Sequence, residues 1–361
     1  MLESQHDIAI IGGGVIGLMT ARELQLTGAD VVVLEAQQCG REASWAGGGI
    51  VSPLYPWRYS PPITALADWS QQQYQSISES LWQQTGIDPE WQQSGLLLLS
   101  VDDAEQALAW SVAHGNRIQI VDAQTLSELQ PDLPAQQQAL WVPAIAQVRN
   151  PRLMKALRRY AELNAIAVHE HCAIQSMQSD ASGDWFLRSE SRLIRARHVV
   201  ICAGAWSRQL LQSMPEAPAI EPVRGQMIMF APTEHRLQRI VLQDGRYLIP
   251  RRDGRILCGS TLEYVGFDKS TTSEAFESLL ESAFRIMPPL RQHRIEKHWA
   301  GLRPGIADNV PRIGEMQKGQ GLWINAGHFR NGVVLAPASS RLLADQLLGR
   351  QPIIDPTPYQ P

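Results

Sequence analysis

Residues 7–35 restrict what this chain can fold into more than any other stretch. An apolar run, Ile8-Ala9-Ile10-Ile11, meets the cluster Gly12-Gly13-Gly14-Val15-Ile16-Gly17. A helical pattern with Ala21, Leu24 and Leu26 follows, and a second apolar run, Val31-Val32-Val33-Leu34, ends on Glu35. The order is strand, tight turn, helix, strand, acid, the opening unit of a dinucleotide-binding fold. Gly12 makes the turn, Gly14 lets backbone approach a pyrophosphate, and Gly17 lets the helix pack on the strand. The helix start offers unpaired N–H groups and a partial positive charge to phosphate. Glu35 stands where a carboxylate accepts from a ribose hydroxyl pair, which favours FAD or NAD over NADP. A glycine cluster alone is weak evidence; the flanking strands and the acid make the unit specific.

The chain has 361 residues, enough for about two domains at ~150 residues each. An apolar fraction of 44% supports full cores, and a net charge of −4 offers no basic face for nucleic acid and no polybasic segment for a membrane surface. No apolar run reaches the length of a membrane span. The start, Met1-Leu2-Glu3-Ser4-Gln5-His6, lacks the positive and then apolar regions of a signal peptide, so a cytoplasmic chain is expected. Cys39, Cys172, Cys202 and Cys258 are far apart, with no Cys-x-x-Cys, and read as reduced structural thiols. His169 and His171 alternate along an expected strand; contact with solvent explains them better than metal, and no metal site is expected.

The loop Gly40-Arg41-Glu42-Ala43-Ser44-Trp45-Ala46-Gly47-Gly48-Gly49-Ile50 follows the ribose acid, and its small residues let backbone lie against a large flat group. Prolines then break the chain before a helix with Leu66, Trp69, Ile77 and Leu81 on one face. Residues 82–141 are expected to form an inserted module: a strand at 96–99, a helix at 104–114, a strand at 118–121 and a short helix capped by Asp122. Asn150-Pro151 reads as an N-cap and first helical residue. Strands are expected near 168–177, 185–188 and 198–202, the last running into Ala203-Gly204-Ala205-Trp206, a second glycine turn. Residues 220–300 look β-rich, with a hairpin turning at Asp253-Gly254 and a helix at 273–287. A strand at 322–325, the turn Ala326-Gly327-His328-Phe329-Arg330-Asn331-Gly332 and a helix at about 333–348 close the fold. The Pro-rich end, 352–361, is expected to be extended or frayed.

With these residues in place, the chain resembles the FAD-dependent D-amino acid oxidase family over nearly its full length. The markers are the Gly-x-Gly-x-x-Gly unit with Glu35, Ser44-Trp45-Ala46-Gly47-Gly48-Gly49, Cys202-Ala203-Gly204-Ala205-Trp206, Gly301-Leu302-Arg303-Pro304 and the turn from Gly327 to Gly332. The likeness is strongest to the branch that oxidises glycine and feeds thiamine biosynthesis. It implies an α/β (α+β overall) fold. A Rossmann-like FAD-binding domain would be built from 1–85, 145–219 and 300–361, with an inserted antiparallel-sheet substrate domain from 86–144 and 220–299. It further implies FAD as cofactor, a small amine and oxygen as partners, no nucleic acid or membrane partner, and a homotetramer.

On that resemblance, Gly12, Gly14, Val15, Ile16 and Gly17 serve the FAD pyrophosphate, and Glu35 and Ala36 the adenosine ribose. Glu42, Ala43, Ser44, Gly47, Gly48 and Gly49 line the cofactor, and Ala173 meets the adenine through its backbone. Ala203, Gly204 and Trp206 form the second glycine turn. His328, Phe329, Arg330, Asn331, Gly332, Val333 and Val334 cradle the flavin at the start of the last helix, whose dipole suits the negative charge of reduced flavin. Arg303 and Tyr247 bind the substrate carboxylate, and the Arg330 carbonyl accepts from the substrate amine. Read without the resemblance, Arg303 is equally an internal salt bridge to Asp308, and Tyr247 an aromatic of the hairpin core.

Gly49 and Thr261 stand where bulkier apolar residues are expected beside the substrate. They would admit sarcosine and small D-amino acids beside glycine, since a pocket distinguishes one methyl by only ~1–3 kcal/mol. The implied reaction is oxidative deamination to a keto acid, ammonia and hydrogen peroxide, with hydride passing from the α-carbon to flavin N5 and no acid–base residue needed for that step. The alternatives are a D-amino acid dehydrogenase with a non-oxygen acceptor and a non-catalytic flavin-binding subunit.

Overall fold

The computed structural model describes residues 2–134, 138–214, 216–232 and 237–361. Its first sheet is eight-stranded and carries a parallel run in the order Leu322–Ala326, Arg192–Ile201, Leu2–Ile11, Val31–Leu34, Ala167–His169. Arg312–Glu315 adds an antiparallel edge, and Trp185–Arg188 with Ser176–Ser179 pairs with the first half of Arg192–Ile201, on the edge whose second half pairs with Leu322–Ala326. Ile8 to Ile11 and Val31 to Leu34 are buried on both faces, as their unbroken apolar runs demand of a parallel sheet. The helices Val15–Gln25, Pro61–Thr85, Asn150–Leu163 and Gly332–Leu347 cover one face. On the other face, Trp185, Leu187, Ile194 and Leu211 pack over Ala9, Ile11 and Val32.

The second sheet is also eight-stranded, in the order Ile295–Gly305, Glu221–Phe230, Ile256–Gly259, Arg246–Pro250, Ile240–Gln243, Leu96–Leu99, Gln138–Val142, Gln119–Asp122. Its neighbours are antiparallel except Ile240–Gln243, which runs parallel to Leu96–Leu99. The module expected at 82–141 therefore shares one sheet with the later β-rich segment. Ile295–Gly305 crosses the 299/300 boundary drawn from the sequence and sets Arg303 opposite Val223. The hairpin turns where expected, with Gly254 at φ 82° and Arg251 N donating to Arg255 O at 2.8 Å. Asp122 caps its helix by accepting from Thr125 N at 2.9 Å.

Three local expectations change. The strand expected at 168–177 is two strands, Ala167–His169 and Ser176–Ser179. Between them the chain leaves the sheet, with His171 at φ 54°, and donates from His171 N and Cys172 N to the carbonyls of Gln37 and Glu35. Asn150 is not the cap of its helix. Arg149 occupies that position, and the Asn150 Nδ2 donates instead to the Ser44 carbonyl at 2.8 Å. The C-terminal end is packed rather than frayed: Tyr359 is 1% exposed and its hydroxyl donates to Pro62 O at 2.7 Å.

All four cysteines are free, and burial pushes the Cys39, Cys202 and Cys258 thiols up to about 12, which keeps them un-ionised. Among the described residues no helix is long and apolar enough to cross a membrane.

Candidate active site

The turn between the first strand and first helix is as tight as its glycines predict. Gly12 sits at φ 115°, and a Cβ there would lie 2.3 Å from Cys202 O. A Cβ on Gly17 would lie 1.9 Å from Gly12 O. No side chain fits at either position, so helix and strand meet backbone to backbone. Gly17 thus supports the turn from behind and is not on the wall of the cavity in front of it.

That cavity holds about 980 Å³ and runs from Glu35 to Arg303. Gly12, Gly14, Val15 and Ile16 form its floor at the helix start, where the Val15 N–H donates to Ser44 Oγ at 2.9 Å. Glu35 and Ala36 lie at one end with Ala173. The Glu35 carboxylate accepts from Gly13 N and Gln37 N, both at 2.8 Å, which fixes its orientation. Glu42, Ala43, Ser44, Gly47, Gly48 and Gly49 make one wall; Ala203, Gly204 and Trp206 make another. His328, Phe329, Arg330, Asn331, Gly332, Val333 and Val334 close the far side, where the Tyr74 hydroxyl steadies the helix start by donating to Val333 O at 2.7 Å. His328 is 2% exposed with its Nε2 3.0 Å from Ser339 Oγ, and burial pushes its pKa down to about 3. It is a neutral imidazole across the working pH range.

Arg303, Tyr247 and Arg330 meet in this cavity from three separate elements. Arg303 keeps an edge open to the cavity but is shielded from bulk solvent, and burial pulls its guanidinium below the ordinary value. It donates to Ser260 Oγ at 2.7 Å and to Thr261 O at 3.2 Å. Among the described residues no carboxylate forms an ion pair with it. Asp308, the partner open to it in the sequence, is taken by Arg312 Nη2 at 2.8 Å and Val310 N at 3.1 Å. Tyr247 is 7% exposed, packs with Met227 and Ile249, and still presents part of its ring to the cavity; its hydroxyl lies 3.9 Å from Met227 Sδ. Arg330 is exposed and likewise has no acid partner among the described residues.

A family model described as FAD dependent oxidoreductase matches residues 7–346. The chain belongs to the FAD-dependent oxidoreductases. It is 47% identical to the glycine oxidase of Pseudomonas putida over 98% of each chain. It is 30% identical to the bifunctional protein ThiO/ThiG of Synechocystis, over 97% of this chain and 53% of that one. The crystal structure of glycine oxidase from Geobacillus kaustophilus superimposes with a TM-score of 0.93 at 29% identity, covering 99% of this chain and 98% of that chain.

The cavity of this oxidoreductase fits FAD in its donor set: an oriented carboxylate for a ribose at one end, a glycine-floored helix start for the pyrophosphate, and a second helix start at the far side. Beside Gly204 a Cβ would meet only open space, which leaves room against bare backbone. Two residues expected beside the substrate do not shape it through side chains. A Cβ on Gly49 would point at Val148 O, 2.1 Å away, and Asn150 Oδ1, 2.5 Å away. Thr261 turns its hydroxyl inward, accepting from Gln226 N at 2.8 Å and donating to Glu263. Only its carbonyl reaches Arg303.

Sequence reasoning missed three contributors. Arg251, half-buried, donates to Gly48 O at 2.7 Å, Gln147 Oε1 at 2.8 Å and Val148 O at 3.1 Å, and so holds the glycine wall in place; desolvation lowers its pKa to about 10. Lys269 bridges the segment after Ser260 to the cofactor wall through Glu42 Oε1 at 2.8 Å. Ser260 lines the cavity beside Arg303. None lies in a recognisable motif; Arg251 is one of a pair of arginines at a hairpin end, a place where arginines usually face water.

Proposed function

We propose that this oxidoreductase oxidises glycine to glyoxylate and ammonia, consuming water and oxygen and forming hydrogen peroxide. The observation that carries the reading is the Arg303 guanidinium: a shielded cation on the wall of a dinucleotide cavity, with no carboxylate of its own among the described residues. Such a cation calls for a small carboxylate ligand. The glycine oxidases among the relatives support glycine as the carrier of that group. When bound, FAD supplies the two-electron acceptor and hands the electrons on to oxygen. Arg303 holds the carboxylate through paired N–H donors, with the Tyr247 hydroxyl as a third. The Arg330 carbonyl accepts from the amine and so sets the orientation of the α-carbon.

The same reading takes the product into thiamine biosynthesis, supported by the likeness to the ThiO/ThiG protein. It takes the protein to be a cytoplasmic tetramer, built from an FAD-binding and a substrate-binding body around the two sheets. Free cysteines suit the cytoplasm, and mass measurement in solution tests the tetramer. Gly49 and Thr261 give no opening for larger amines, so sarcosine and D-alanine belong in the test rather than in the assignment.

The experiment is an anaerobic titration followed by the flavin spectrum. Glycine is expected to bleach the flavin, and air to restore the colour with release of peroxide. Bleaching that air does not reverse would favour the dehydrogenase. A flavin untouched by glycine, sarcosine and D-alanine alike would end the reading.

A further inference from the structure

The Ser260 hydroxyl is only half used by the protein. Its oxygen accepts from Arg303 Nη2 at 2.7 Å, and a guanidinium can only donate, so the Ser260 proton is not used in that bond. The Ser260 hydroxyl has no acceptor for that proton among the described residues, yet it lines the cavity beside Arg303.

The surroundings fix both groups. Ser260 is gripped through its carbonyl by Arg246 Nη1, whose Nη2 reaches Ser278 Oγ at 3.3 Å. The next residue is pinned by Thr261 N donating to Gln226 O at 3.2 Å and Gln226 N donating to Thr261 Oγ1 at 2.8 Å. Arg303 is fixed from below. A Cβ on Gly225 would lie 2.1 Å from its Nη1 and 2.2 Å from its Nη2, so the guanidinium rests directly on the Gly225 backbone. Its Nη1 is held by Thr261 O at 3.2 Å. Cation and hydroxyl are therefore presented together, already oriented, before a ligand arrives.

The geometry points to Ser260 as a further ligand of the substrate carboxylate, beside Arg303 and Tyr247. Arg303 gives N–H donors to one face of the anion, and Ser260 gives its O–H to the same anion while holding the guanidinium in place. This rests on the proposed function in taking the ligand to be a carboxylate, and it assigns Ser260 to recognition rather than to the redox step.

The test uses the flavin-loaded protein and two readouts. The first is titration with acetate, a carboxylate that has no amine to oxidise, followed by the change in the flavin spectrum. The second is the anaerobic rate of flavin reduction against glycine concentration. Ser260→Ala is expected to weaken acetate, and to raise the glycine concentration for half-maximal rate, by ~10-fold or more, as for loss of one bond to a charged group. The limiting rate should fall much less than affinity does, and Ser260→Thr should restore most of the affinity. If Ser260→Ala does not hold flavin, Ser260→Cys, close in volume and a poor donor, takes its place with the same expectation.

Acetate affinity and half-saturation within twofold of wild type overturn the assignment. So does a fall in limiting rate with affinity unchanged, or an acetate that never perturbs the wild-type flavin. A wild-type flavin that binds acetate but is not reduced by glycine would instead defeat the proposed function and leave Ser260 to be judged by the acetate titration alone.

Discussion

Replacing Arg303 with Met separates a ligand-binding cation from a structural one, because the two roles predict opposite changes in stability. In the folded chain Arg303 is shielded, and burial lowers its pKa. Among the described residues its hydrogen-bond partners are Ser260 Oγ and Thr261 O, neither of which carries charge. Met removes the desolvation penalty of a buried cation and leaves two neutral acceptors short of a donor. The first effect is worth several kcal/mol, and the second costs about 1–3 kcal/mol for each acceptor left dry. The thermal midpoint of the flavin-loaded variant should therefore stay near wild type or rise by a few degrees.

Activity moves the other way. Two charge-assisted bonds to a carboxylate, at about 1.5–3 kcal/mol each, amount to about 3–6 kcal/mol, or roughly a 10²- to 10⁴-fold loss in kcat/KM for glycine. Calorimetry and anaerobic flavin reduction on the same preparation measure both. Had Arg303 belonged to a buried ion pair, its loss would strand an acid at a cost of about 3–5 kcal/mol, lowering the midpoint by on the order of 10 °C. A variant that melts that much earlier, or that keeps kcat/KM within tenfold of wild type, would refute the argument.

Two further outcomes follow from buried side chains. His328 takes up no proton in the folded state until about pH 3, whereas in the unfolded chain it protonates near its ordinary 6.5. The unfolded state thus binds the extra proton between these values, and stability falls as pH drops through that window. The share from His328 is about 2 kcal/mol at pH 5. Denaturant midpoints at pH 7 and pH 5 should show a smaller acid loss in His328→Asn; equal losses would show that His328 is not held neutral by the fold. Removing residues 356–361 takes away Tyr359 and its bond to Pro62 O, which should lower stability by about 2–4 kcal/mol, read as an earlier thermal transition. An unchanged transition would mean that the tail packs without contributing.

The glycine turn, the ribose acid and the Asp253-Gly254 hairpin were legible because short-range chemistry decides them. Gly12 and Gly17 leave no room for a Cβ, and Gly254 needs a positive φ. The Arg303 question was open in the sequence because Asp308 lay nearby; only the fold shows Asp308 turned to Arg312. Asn150 misled because a polar residue before proline looks like a cap, while its amide serves Ser44, distant in sequence but adjacent in space. The strand expected at 168–177 broke because carbonyls of Glu35 and Gln37 compete for its N–H groups. Composition hid Tyr359, since a Pro-rich end reads as loose whatever single aromatic it carries. Thr261 and Ser260 are neighbours of the same chemical type, and nothing in their order says which one faces the ligand.

The parallel pairing of Leu96–Leu99 with Ile240–Gln243 bears on how the protein is made. Leu96 to Leu99 are at most 1% exposed in the finished fold, and a ribosome emits them long before their partner strand. Until residues 240–243 emerge, an all-leucine strand has an unsatisfied edge and two bare faces, the state most prone to pair with a neighbouring nascent chain. The first sheet cannot be completed early either, since it waits for Arg192–Ile201 and then Leu322–Ala326. Both sheets thus close late and almost together, so the chain behaves in synthesis as one slow cooperative unit. Expressing its N-terminal half alone should yield aggregate rather than a smaller folded protein.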